Sequence, residues 1–162
     1  MMREILFRGK SLMTGKWITG GYFKHINRMP HPMGDCIKPK DIDHLIIQSR
    51  FADWGMPRGV EGYEVDPETV GQWIGLNDIE GTKIFEGDIL EIRYDDVLHD
   101  HLKHYRSVKW FGELGYPVFD FSDSTKLDRG HQMIWSQVVE KAYYRVVGNI
   151  YDNPELLEGG EA

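Results

Sequence analysis

The chain is short of three things that often define a function. It has a single cysteine, Cys36, in 162 residues, so it can form no intramolecular disulfide and no zinc site built on three or four cysteines. It has no apolar run near the roughly 18 residues that a membrane-spanning helix needs; its longest, such as Leu45 to Ile47, are three or four residues. It is also short of positive charge. The 19 Lys and Arg against 26 Asp and Glu leave a formal charge of −7, which argues against a protein that wraps nucleic acid with its whole surface. The opening MMREILFRGK carries charge from position 3 and no apolar stretch, unlike a secretory signal, and no Asn is followed by the Ser or Thr of a glycosylation sequon. Together these features predict a cytoplasmic protein with no membrane partner.

What the chain does have is turn chemistry. Eighteen Gly and seven Pro break it at short intervals, with aromatic and β-branched residues between them. That pattern predicts a mainly β protein of short strands, with little helix. Strands are expected at 4–12 and 17–25, joined at Met13-Thr14-Gly15-Lys16, and at 45–48, 69–76, 83–85, 89–94, 105–111, 116–121 and 144–151. The stretches 26–43 and 50–62 are rich in Pro and Gly and read as loop. Residues 131–142 stay open between helix and strand, and 153–157 read as a turn or short helical end. Five or so strands between about 65 and 155 suit a small closed barrel of the SH3 or OB kind. Residues 1–64 would then be an N-terminal hairpin and loop region packed on that barrel, and 156–162 a frayed tail.

Few residue patterns carry chemistry. Gly9-Lys10-Ser11 resembles the end of a phosphate loop, but the earlier glycine is replaced by Glu4 and the segment lies in a strand. His99, His101 and His104 form the best metal candidate, because alternate residues of an extended chain face one side. Asp95, Asp96 and Asp100 stand beside them, and a solvated polar hairpin tip is the competing reading. Cys36 sits between Asp35 and Ile37 in a Pro-rich stretch with His31 nearby, and reads as a bland free thiol before a catalytic one, which needs surroundings that stabilise a thiolate. Asp66 before Pro67 and Asp88 after Gly87 read as turn formers that hold backbone N–H groups, and Gly81 as a positive-φ position. Phe51, Trp54 and Met56 lie in a Gly-rich loop, either as an exposed interaction patch or as a plug over a barrel end.

Charge is unevenly placed. Residues 1–64 hold ten Lys and Arg against seven Asp and Glu, whereas residues 65–162 hold nine against nineteen. The first part could meet an anion or an acidic partner, and Arg3, Arg8, Lys10, Lys16, Lys24 and Arg28 would be its contact face for nucleic acid.

Three stretches together resemble the YopX-like family of phage and prophage proteins. They are Arg3 to Gly9, then VDPETVGQWIGL (65–76) continuing through Asp78, Gly81, Lys83, Ile84 and EGDIL (86–90), then VVGNIYDNPELL (146–157). The resemblance implies a predominantly β fold with an SH3-like barrel and carries over no enzymatic activity and no functional residues. Its recurring positions, such as Gly71, Gly87, Asp88 and Asn149, are mostly turn formers, which points to a shared fold. The expected role is a non-enzymatic interaction module without a cofactor, whose partner is a host or phage protein. Nucleic-acid association through the basic first part is the alternative, and self-association through exposed strand edges is compatible with the pattern.

Overall fold

The computed structural model describes residues 4–29, 36–49, 59–94, 104–111, 116–120 and 142–158. They form a mainly β protein with ten strands, two 3-10 turns and one short helix among the described residues. Chain contacts divide it into two compact units, Met1–Gln72 and Trp73–Ala162.

The first unit holds β1 (Phe7–Lys10), β2 (Trp17–Ile26), β3 (Ile42–Ser49) and β4 (Val60–Glu64), all antiparallel in the order β4-β3-β2-β1. β2 serves two partners in turn. Its first half, Trp17 to Gly20, pairs with β1, and its second half, Gly21 to Ile26, pairs with β3. Gly20 sits where the partner changes, and a Cβ there would lie 2.2 Å from the carbonyl oxygen of Ile47. Only glycine lets the two backbones come that close. The ends of the sheet touch at one point. Ser11 bridges Val65, Leu12 N donates to Glu64 O at 3.0 Å, and Asp66 N donates to Lys10 O at 2.9 Å. Val65 and Ile46 are buried. A Cβ on Gly9 would meet the Val65 side chain at 3.0 Å, so the missing side chain makes room for the crossing. This single bridge stops short of a closed barrel.

The loops expected at 26–43 and 50–62 need correction. β2 runs on to Ile26, a 3-10 turn forms at Pro39–Asp41, and β3 starts at Ile42. Val60–Glu64 is a strand paired along its length with β3, from Ser49↔Val60 to Leu45↔Glu64. Gly59 and Gly62 suggest a loop locally, but the ladder to Ile46 and Ile47 overrides that preference.

The second unit begins within β5 (Gly71–Asn77), whose first two residues pair with β1 and whose later ones pair with β6 (Lys83–Phe85). Gly75, at φ 89°, lies where the β5–β6 register slips, as a bulge requires. β7 (Asp88–Tyr94), β8 (His104–Phe111), β9 (Tyr116–Asp120) and β10 (Ala142–Asn149) form an antiparallel sheet in the order β10-β7-β8-β9. Among the described residues it does not close into a barrel. Its core is Ile74, Ile84, Leu90, Ile92 and Val108, flanked by Leu76, Tyr144 and Val146. Burying each such aliphatic side chain contributes about 1.5–3 kcal/mol.

The expected turn formers act as such. Asp66 Oδ1 accepts from Glu68 N at 3.0 Å, and Asp88 Oδ2 accepts from Phe85 N at 2.8 Å. Gly81 and Gly87 have φ of 85° and 81°. Gly87 also links strands: its N–H donates to Val108 O, and its carbonyl accepts from Ile150 N. Asn149 Oδ1 caps the turn after β10 by accepting from Tyr151 N and Asp152 N, and α1 (Glu155–Glu158) ends the described chain.

Candidate interaction surface

Beyond Phe23, β2 and β3 continue as a two-stranded arm, from Lys24↔His44 to Ile26↔Ile42, and side chains clasp the described residues at its far end. Asp41, buried although charged, is the centre. Its Oδ2 accepts from Lys38 N at 2.8 Å and pairs with Arg28 Nε at 2.9 Å. The Lys38 N–H and the Arg28 guanidinium, with help from Lys40, hold the Asp41 carboxyl below its ordinary range against the cost of its burial. Arg28 also donates from Nη2 to Cys36 O at 3.1 Å. Asn27 N donates to Asp41 O at 3.0 Å, and Asn27 Nδ2 donates to Asp43 Oδ1 at 2.8 Å. The other oxygen of Asp43 lies 3.4 Å from His25 Nδ1. Residues 25–28 at the end of β2 and residues 36–43 at the start of β3 are therefore tied together by charge-assisted bonds.

Nearer the body of the unit, the Tyr22 hydroxyl is hydrogen-bonded to His44 Nδ1. The Phe7 ring lies against Tyr22 with centroids 5.4 Å apart, and burial pushes the Tyr22 phenol up.

This clasp holds large apolar side chains in solvent. Met29 is 94% exposed, and Ile26 and Ile37 are also exposed. Lys24, Lys38 and Lys40 of the same segments are exposed as well. On one face of the same strands Phe23 is exposed, with Val60 on β4. Gly21 and Gly62 stand opposite Ile47 on its two sides, so no side chain rises next to it in that row. Exposed apolar groups of this size suit a contact surface better than a solvated loop.

The residues singled out from sequence fall as follows. Phe51, Trp54 and Met56 lie outside the described residues, as do His99, His101, Asp95, Asp96 and Asp100. His104 opens β8 opposite Ile92. Among the described residues no group of three or more His, Cys, Asp or Glu could hold a metal ion. Cys36 is an exposed free thiol. Of the basic residues, Arg8 lies 4.5 Å over the Trp17 ring and Arg28 belongs to the clasp, so both have structural work. The arm was not legible in sequence; exposed Ile and Met beside a Pro-Lys-Asp turn were its only local sign.

In the described residues no helix is long and apolar enough to cross a membrane. Residues 33–158 match the family model described as YopX protein. No curated protein matches the chain. The crystal structure of protein EF1440 from Enterococcus faecalis is similar at 22% identity, covering 96% of this chain and 99% of that one with a TM-score of 0.47. The family match spans well over half of the sequence, and the chain belongs to the YopX family.

Proposed function

We propose that the protein is a non-enzymatic interaction module whose β2–β3 arm docks on a protein partner. The observation that carries this reading is the pairing of a rigid clasp with solvent-exposed Ile26, Met29 and Ile37. Ordering a chain segment costs conformational entropy, and an Asp41–Arg28 pair that ties residues 28 and 41 together before binding reduces what association must then supply. The exposed lysines of the same segments suit a partner with an apolar recess and an acidic rim. The scaffold we infer is a small SH3-like barrel over about residues 65–155, a reading supported by the short antiparallel strands of the β10-β7-β8-β9 sheet. The setting we infer is the cytoplasm of a bacterium that carries the gene on a phage or prophage.

Affinity capture from bacterial lysate tests this reading with the native chain beside a Met29→Asp, Ile37→Asp double variant. A protein retained by the native chain and lost by the variant supports it. Equal retention by both, or none above background, overturns it.

A second reading draws on the same lysines. Lys24, Lys38 and Lys40 are each exposed, and phosphate contacts from such side chains support nucleic-acid association. A gel shift at low salt, weakened when the three are changed to Gln, is its expected sign, and no shift at low salt rejects it.

A further inference from the structure

The second unit carries a small site of different chemistry. A cavity of about 210 Å³, open to solvent, is lined by Ile79, Glu91, Arg93, Tyr144 and Arg145. The β7–β10 ladder sets Glu91 opposite Arg145 and Arg93 opposite Tyr143, so both arginines and Glu91 stand on one face of the sheet.

The two arginines are held differently. Arg93 Nε and Nη2 lie 2.7 and 2.6 Å from Glu91 Oε1. The Glu91 side chain is only 11% exposed and is also approached by the Tyr105 hydroxyl at 3.4 Å. That contact fixes the direction of Arg93. Arg145 instead pairs through Nη2 with Glu80 Oε1 at 2.7 Å, and both of these side chains are about half exposed. Glu80 sits in the β5–β6 loop, where its main-chain N–H is anchored on Asp78 Oδ1 at 2.9 Å. An anchored backbone thus offers one exposed carboxylate to an arginine at the mouth of a cavity, and a half-exposed ion pair of this kind is weak.

We propose that this cavity is a carboxylate-binding site in which Glu80 occupies the ligand's place on Arg145 until a carboxylate from outside displaces it. The incoming group would pair with Arg145 in the fork geometry that guanidinium favours, beside the oriented Arg93, and lay a short aliphatic stem against Ile79 and Tyr144. The volume suits a small dicarboxylate or a single acidic side chain and is too small for a nucleotide. The two sources share one chemistry, and the experiment separates them.

The test is a titration followed through backbone amide NMR shifts, with glutarate, with a short capped tri-glutamate peptide, and with inorganic phosphate for comparison. Saturable shifts confined to 79–80, 91–93 and 144–146 are expected with glutarate, the peptide or both. A response to the peptide alone assigns an acidic side chain as the source, and a response to glutarate alone assigns a free small acid. Glu80→Gln should tighten binding about two- to fivefold by removing the internal competitor. Arg145→Gln should abolish it while leaving the circular dichroism and melting curve unchanged. The proposal is overturned if neither carboxylate gives saturable shifts, if phosphate shifts the same amides equally, if Arg145→Gln binds as well as the native chain, or if Glu80→Gln binds no more tightly.

Discussion

The main-chain N–H of Val146 donates to Oδ2 of Asp78 at 3.0 Å, across 68 positions of sequence. One carboxylate thereby shapes its own loop, through Oδ1 to Glu80 N and Thr82 N, and fastens that loop to β10. Burial alone would raise the Asp78 carboxyl, but the Val146, Thr82 and Glu80 N–H groups outweigh it and hold it below the ordinary range. A carboxyl lowered on folding stabilises the protein above its unfolded value, about 3.9, and that contribution is lost as pH falls through the lower folded value. The native protein should therefore lose stability below about pH 4, and Asp78→Asn should show a flatter acid limb in urea melts followed from pH 2 to 7. Asp78→Ala, which leaves the Val146 N–H without this acceptor, should cost roughly 1–3 kcal/mol at neutral pH.

The backbone crossing at Gly20 separates two neighbouring glycines. Gly20→Ala places a Cβ 2.2 Å from a carbonyl oxygen, whereas Gly21→Ala finds nothing nearer than 4.0 Å. The first should destabilise by about 1–3 kcal/mol through forced backbone movement. The second should be close to neutral. Chemical denaturation of both variants in parallel checks this, and equal effects would contradict the close approach.

The clasp predicts a local effect. Arg28→Ala removes the ion pair to Asp41 and the bond to Cys36 O. Hydrogen exchange should quicken at the Asn27 amide, which bonds across the arm to Asp41 O, and at the Lys38 amide, which bonds to the Asp41 carboxylate, and remain unchanged at the core residues Ile84 and Leu90. Uniform acceleration over the whole chain would mean that the pair serves global stability.

Much of this architecture was legible because its turns are chemical. Asp66, Gly81, Gly87 and Asp88 each need a particular side chain or a positive φ, and such needs act within a few residues. The strands between them followed from β-branched and aromatic residues. β4 and the clasp were not legible, for the same reason in both cases. Val60–Glu64 is a strand because β3 pairs with it, and Asp41 turns inward because Arg28 reaches it from thirteen positions away. Local composition reports Pro and Gly there and carries nothing about either partner. The Arg145–Glu80 pair was hidden likewise, since it joins residues 65 positions apart.

The central claim is that the tip of the β2–β3 arm is where a partner protein docks. The most direct measurement places a photoreactive amino acid at Met29 and, in a second chain, at Met13, another exposed apolar position, then irradiates each in bacterial lysate. A discrete cross-linked adduct is expected from position 29 that is absent from position 13 and suppressed by Ile37→Asp. No adduct at 29, or the same adducts from both positions, would contradict it.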